Sequence, residues 1–182
     1  MLAISQRSKR LHVIKIQEET GACLSDIRKI NEAAFGDSLV SNLVGALRSN
    51  KKVDLSLIAE VDNGIVGHIM FSPVFVEGAE CSKRGTALAP VAVLPKHQRT
   101  GVGSALINEG LKRCRNLGID YVVLLGHRTY YPRFGFEPIR NHGLTTSYGD
   151  GEHAMVHELT EGALNMLSGK ICYQPEFKEN GC

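Results

Sequence analysis

The segment Gln98-Arg99-Thr100-Gly101-Val102-Gly103-Ser104 carries the clearest chemical signal in the chain. It opens a long amphipathic stretch, predicted as a helix from Thr100 to Leu117. Helix N-termini expose unpaired N–H groups at the positive end of the helix dipole. Many helices answer with Asp or Glu in the first turn. Here no acidic residue stands between Pro95 and Glu109, and Lys96, His97 and Arg99 crowd the approach instead. Gly101 and Gly103 remove side chains where an anion needs contact with the backbone. These features together describe a phosphate site; glycines that merely permit close packing are the plainer alternative. A P-loop would need GxxxxGK(S/T), which is absent. A dinucleotide site would need a third glycine where Leu106 stands and an acid ending the next strand, which instead ends in Gly126-His127.

The elements that must hold this segment follow from periodicity. A strand is predicted over Leu11 to Gln17, a helix from about Ser25 with Ser25 or Asp26 as its cap, and a second helix over Leu39 to Arg48. Leu55 to Val61 and Ile65 to Phe75 read as strands joined by Asp62-Asn63-Gly64, with Asn63-Gly64 as the hairpin signal. Glu77 to Gly85 reads as a polar loop. Ala87 to Leu94 is apolar on both faces, as in a central strand. Leu106, Gly110, Cys114 and Leu117 line one face of the long helix, and Ile119 to Leu125 is a buried strand after it. Strand, helix and strand with short joins give a parallel crossover. The aromatic segment Tyr130 to Phe136 follows, then a strand at Ala154 to Leu159 and a looser tail. The fold class is mixed α/β (α+β): one domain, an antiparallel N-terminal meander, and a parallel βαβ unit at the site.

Composition narrows the class. A chain of 182 residues with 43% apolar residues suits one domain with a sizeable core. A net charge of +2 gives no ground for nucleic-acid binding. The apolar runs are far below the roughly 20 residues that span a bilayer. Five widely spaced cysteines suggest neither a disulfide framework nor a metal site, and so a reducing compartment, the cytoplasm. Residues 1–10 and 178–182 are expected as tails around a domain over 11–177.

Gln98-x-x-Gly101-x-Gly103, after a strand ending Val91-Ala92-Val93, resembles the acetyl-CoA signature of the GNAT superfamily of N-acyltransferases. Tyr130-Tyr131-Pro132-Arg133-Phe134-Gly135-Phe136 resembles its second landmark. Gly67-His68-Ile69, Ser72-Pro73-Val74, Leu124-Leu125-Gly126, Ser168-Gly169 and Tyr173 to Phe177 look like the YhbS-like branch. The resemblance implies a GNAT-like domain with helices on both faces of its sheet, and acetyl transfer from acetyl-CoA to a primary amine. By position, Val91 and Val93, with Ala92 between them, would bind the pantetheine arm. Gln98, Arg99, Thr100, Gly101, Val102, Gly103 and Ser104 would surround the pyrophosphate, and Tyr131 would lie near the cofactor sulfur.

Such a transfer needs a neutral amine, a stabilised oxyanion and an accepted thiolate. A phenol suits protonation of the thiolate, which makes Tyr131 the candidate general acid, with Tyr130 as fallback. The base is less defined. His68 is one candidate, on a strand face with Met70 and Ser72, and Glu32 is another. An acyl-CoA-binding module with little turnover is the competing reading. The acceptor, a small-molecule or protein amine, would contact the first two helices and the loop after Phe136. That loop holds His142, Asp150, Glu152 and His153, either as ligands for a cationic acceptor or as solvated groups. Neither metal, nucleic acid nor membrane is expected as a partner, and the chain would be a monomer or a homodimer.

Overall fold

A computed structural model describes residues 13–78, 83–165 and 167–182; the expected tail at 1–10, the start of the first predicted strand and Cys81 lie outside them. Among the described residues, nine strands form the sheet system. Six of them, with a short seventh, run in the order β1-β2-β3-β4-β5-β8-β6. These are β1 (Lys15–Glu18), β2 (Leu55–Val61), β3 (Gly64–Val76), β4 (Gly85–Val93), β5 (Tyr121–Leu125), β6 (Glu137–Pro138) and β8 (Ala154–Glu158). The joint between β4 and β5 is parallel and its neighbours are antiparallel, the arrangement predicted for a meander followed by a crossover. The remaining strands, β7 (Leu144–Thr146) and β9 (Gly169–Cys172), pair with each other, and β9 also pairs with the end of β3.

Strand periodicity places alternate residues on opposite faces. From β3, Ile69 and Phe71 pack with Leu106, Ile107 and Leu111 of α3 (Val102–Asn116). Met70, between them, packs on the other face with Ile27 of α1 (Leu24–Phe35) and Leu43 and Leu47 of α2 (Leu39–Ser49). Helices therefore cover both faces, as expected.

Some local details differ from the sequence reading. The hairpin turn is Asp62-Asn63, both left-handed (φ 50° and 63°), and Gly64 already pairs with Val61 as part of β3. Helix α1 starts after a 3₁₀ turn at Gly21–Cys23, and neither Ser25 nor Asp26 caps it, because Leu24 is already helical. Leu117, expected on the core face of the long helix, is 47% exposed. The segment expected as a looser tail contains β9 and α4 (Pro175–Glu179). Gln174 Nε2 donates to the Pro73 carbonyl (2.7 Å), and Tyr148 Oη donates to the carbonyl of Cys182 (2.7 Å), so this end of the chain is fastened to the domain.

A polar network ties β1, α1 and α2 to the sheet. Arg48 forks onto both oxygens of Glu19 at 2.7 Å. Ser56 Oγ donates to Glu19 Oε2 (2.5 Å), and Asn31 Nδ2 donates to His68 Nδ1 (3.2 Å). Nε2 of His68 is thereby left to donate to Ser56 Oγ at 3.0 Å, so the ring is neutral in this arrangement. Burial depresses His68, with Glu19 pulling the other way. Burial raises Glu19, but the nearby His68 ring and the hydrogen bonds from Arg48 and Ser56 outweigh that and hold it well below the usual carboxylate range.

Both depressed groups bind protons more readily in the unfolded chain, so stability is lost as pH falls. The melting temperature should decline as pH drops through the ordinary His value of 6.5, and again below the ordinary Glu value of 4.5. His68→Gln should flatten the first decline. Glu19→Gln should flatten the second and cost roughly 2–3 kcal/mol at pH 7, because Arg48 loses its carboxylate. A melting temperature that is level from pH 7 to 4 would contradict this.

Candidate active site

The parallel joint opens into a cleft. Strands β4 and β5 pair at Gly85, Thr86 and Ala87 and no further. Beyond Ala87, β4 carries an extra residue: Phe71 faces Leu88, but Ile69 faces Val91. A bulge of this kind bends a strand, and Pro90 within it has no N–H to offer the ladder. Past the bulge β4 follows β3, so its other edge is free of β5. The N–H of Leu94 donates to Val66 and so points towards β3. The carbonyl of Val93 points the other way and accepts from Gln98 Nε2 at 3.1 Å. By the two-residue period, Val91 and Val93 present their backbone groups to the cleft, and Ala92 presents its own to β3. Ala92 is buried and does not line the cleft.

The loop after β4 ends on α3. Arg99 (φ 60°) and Gly101 (φ 96°) are both left-handed. A non-glycine residue held there is strained, and such strain gathers at ligand sites. Alternation of this kind turns successive N–H groups into one concavity, an anion nest. The Ala105 N–H already donates to Gly101, whereas the N–H groups of Val102, Gly103 and Ser104 are the orphans of the first turn. No side chain caps α3 and no acid occupies its first turn. The cleft, about 810 Å³, is lined by Gln98, Arg99, Gly101, Gly103 and Ser104 from this loop, by Val91 and Val93, and by Arg133 opposite, with no carboxylate among its described lining residues. Thr100 and Val102 do not line it. Thr100 Oγ1 donates to the His97 carbonyl (2.6 Å), and the Val102 side chain lies in the core.

Tyr130 and Tyr131 stand edge to face at 5.2 Å but face different places. Tyr130 Oη lies 3.4 Å from Ser104 Oγ, beside the first turn of α3, with the Arg133 guanidinium over its ring at 4.7 Å. Tyr131 lines the cleft and also a second cavity of about 390 Å³. Phe35, Val91 and His127 are shared by both spaces in the same way. Burial, and secondarily Tyr130, push the Tyr131 phenol up to about 12. Gly126 makes room for that ring: a Cβ built there would overlap Tyr131 Cε2.

His68 and Glu32 line neither space. His68 is 0% exposed within the network above, and Glu32 is paired with Arg28 (2.8 Å) and accepts from Ser41 (3.2 Å). In the later loop, Glu152 is paired with Arg128 and Arg140. His142, Asp150, Glu152 and His153 line neither cavity. The residues that sequence reading passed over are Phe35, Gly126, His127 and Arg133. Gly126 entered only as the end of a strand and within Leu124-Leu125-Gly126, and His127 only as the end of that strand. Its position, one loop before the Tyr-Tyr pair, was the available signal.

The two cavities thus meet along a wall formed by Phe35, Val91, His127 and Tyr131, and the larger of the two ends on the first turn of α3. The chain belongs to the acetyltransferase (GNAT) family, whose sequence model matches residues 24–136. Escherichia coli YjhQ, an uncharacterized N-acetyltransferase, is 43% identical over 116 residues, which are 63% of this chain and 64% of YjhQ, so the match spans under two thirds of that relative. Escherichia coli YhbS, another uncharacterized N-acetyltransferase, is 36% identical over 79% of this chain and 86% of its own. The crystal structure of YhbS in complex with CoA superposes with a TM-score of 0.87 at 31% identity, covering 94% of this chain and 95% of that one. A GNAT-family acetyltransferase from Brucella melitensis in complex with acetyl-CoA gives 0.75 at 36% identity, covering 91% and 99%. Among the described residues, no helix is long and apolar enough to cross a membrane, and no cluster could hold a metal ion.

Proposed function

We propose that this chain transfers an acetyl group from acetyl-CoA to a primary amine by direct attack on the thioester. The observation that carries this reading is the meeting of the cleft at the start of α3 and a second cavity at Val91, His127 and Tyr131. The pyrophosphate would lie on the free N–H groups of Val102 to Ser104, with Arg99 and Gln98 at its edge. The pantetheine arm would run along Val93 and Val91, and the Val91 N–H would polarise the thioester carbonyl. As the N–C bond forms and the C–S bond breaks, nitrogen gives up a proton, for which His127 is the neighbouring acceptor. The departing thiolate would receive a hydrogen bond from Tyr131. We assign His68 to the polar network instead, because it lies outside both cavities. The four described cysteines are unpaired, which fits a cytoplasmic setting.

Thiol release from acetyl-CoA in the presence of a panel of amines, with the acetylated product identified by mass, tests transfer. Binding without amine-dependent release would favour a sensor. Arg99 and Arg133 also give the cleft a positive field. Acetyl-CoA affinity should therefore weaken roughly threefold to tenfold between about 0.01 M and 0.15 M ionic strength, and a flat salt response would contradict that field.

A further inference from the structure

The chemistry of the second cavity restricts the amine that enters it. We infer that the acceptor is a small, apolar aromatic primary amine of low basicity, a conclusion that deepens the acetyl-transfer reading and rests on it. The walls come from Phe35, Tyr148, Tyr173 and Phe177, completed by aliphatic Val40 and Leu43, and no Asp, Glu, Lys or Arg is among the described lining residues. Tyr148, Tyr173 and Phe177 form an edge-to-face ladder, with centroids 5.5 and 5.3 Å apart. An aromatic occupant extends such a ladder favourably.

An ammonium in this space would find no Asp or Glu side chain to balance it, and an unpaired charge in an apolar site is costly. The acidic side chains of the neighbouring loop are no remedy, since Glu152 is engaged by Arg128 and Arg140 and Asp150 lies outside the lining. The amine must therefore arrive neutral. A lysine-type amine, with pKa near 10.4, is neutral in about one molecule in 2,500 at pH 7. An amine attached directly to an aromatic ring is far less basic and is neutral throughout. The same property agrees with the absence of any Asp or Glu from the described lining of both spaces: an amine that arrives neutral needs no strong base to free its lone pair. The Tyr173 hydroxyl is buried without a hydrogen-bond partner among the described residues. A hydrogen-bond acceptor carried on the ring of the amine would satisfy it and add to binding.

The test compares p-toluidine, benzylamine and spermidine as acceptors at pH 7, with acetyl-CoA and with hexanoyl-CoA. The ring is common to the first two and basicity separates them. The expected order of kcat/KM is p-toluidine, benzylamine, spermidine, with at least a hundredfold between the first and the last. Val40→Trp, which fills the cavity from α2, should remove p-toluidine turnover and leave calorimetric affinity for acetyl-CoA unchanged. Preference for spermidine, no acetylation of p-toluidine by an enzyme that binds acetyl-CoA, or full p-toluidine turnover in Val40→Trp would each overturn the inference. Preference for hexanoyl-CoA that Val40→Trp abolishes would assign the cavity to the acyl chain and overturn it too. Failure of wild type to bind acetyl-CoA at all would instead sink the underlying transfer reading.

Discussion

Tyr131→Phe should lower the turnover number by about 10²-fold while acetyl-CoA affinity stays within about threefold. The ring and its packing survive the substitution, and the phosphate nest is lined by Tyr130 rather than Tyr131. The expected loss sits at the lower end for positioned proton donors because of the phenol's environment. A group pushed up to about 12 is a weaker acid than an ordinary phenol at 10. Full transfer of its proton to a thiolate of pKa near 8.5 is uphill by about 5 kcal/mol. On the proposed mechanism, Tyr131 would therefore act chiefly by holding a hydrogen bond to the developing thiolate. It also stays protonated across the neutral range, so turnover should show no alkaline limb from Tyr131 up to about pH 10. Gly126→Ala should reproduce much of the loss, since its methyl group must displace the same ring. If Tyr130→Phe shows the loss and Tyr131→Phe does not, the roles within the pair are reversed.

Gly103→Glu should weaken acetyl-CoA binding by roughly a hundredfold or more without unfolding the protein. Gly103 lies in ordinary helical backbone, and its Cβ would meet Tyr130 Oη at 3.4 Å and Val93 Cγ2 at 3.8 Å, so the substitution fits. The new carboxylate would compete for the first-turn N–H groups and repel the pyrophosphate. An acid in the first turn stabilises a helix by about 0.3–1 kcal/mol, and replacing a helical glycine adds to that. Melting temperature should therefore hold or rise while affinity collapses. Unchanged affinity in the folded variant would remove the phosphate site.

Much of this was legible in the sequence because its signals are local. The missing acids before Glu109 and the paired glycines describe one helix terminus, and periodicity marks α3 and its flanking strands. The Asp62-Asn63 turn was misplaced by one residue, since Asn63-Gly64 is the commoner signal and the left-handed Asp62 gives none. His68 shows where local reasoning fails: an isolated histidine on an apolar strand looks the same whether it faces a cleft or a buried partner. Its neighbours Asn31, Ser56 and Glu19 come from α1, β2 and the segment after β1. Of the second cavity only the part from the first two helices and the loop after Phe136 was anticipated; its remaining walls come from β4, β5 and the segment around Tyr173, which no local signal joins to them.

Amide hydrogen exchange with and without saturating acetyl-CoA tests the placement of the cofactor most directly. Protection should appear at Val93, Val102, Gly103 and Ser104, with little change at Ala105, whose N–H is already bonded to Gly101. Unchanged exchange at Val102 to Ser104 in the saturated protein, or protection confined to the second cavity around Tyr173, would contradict the account.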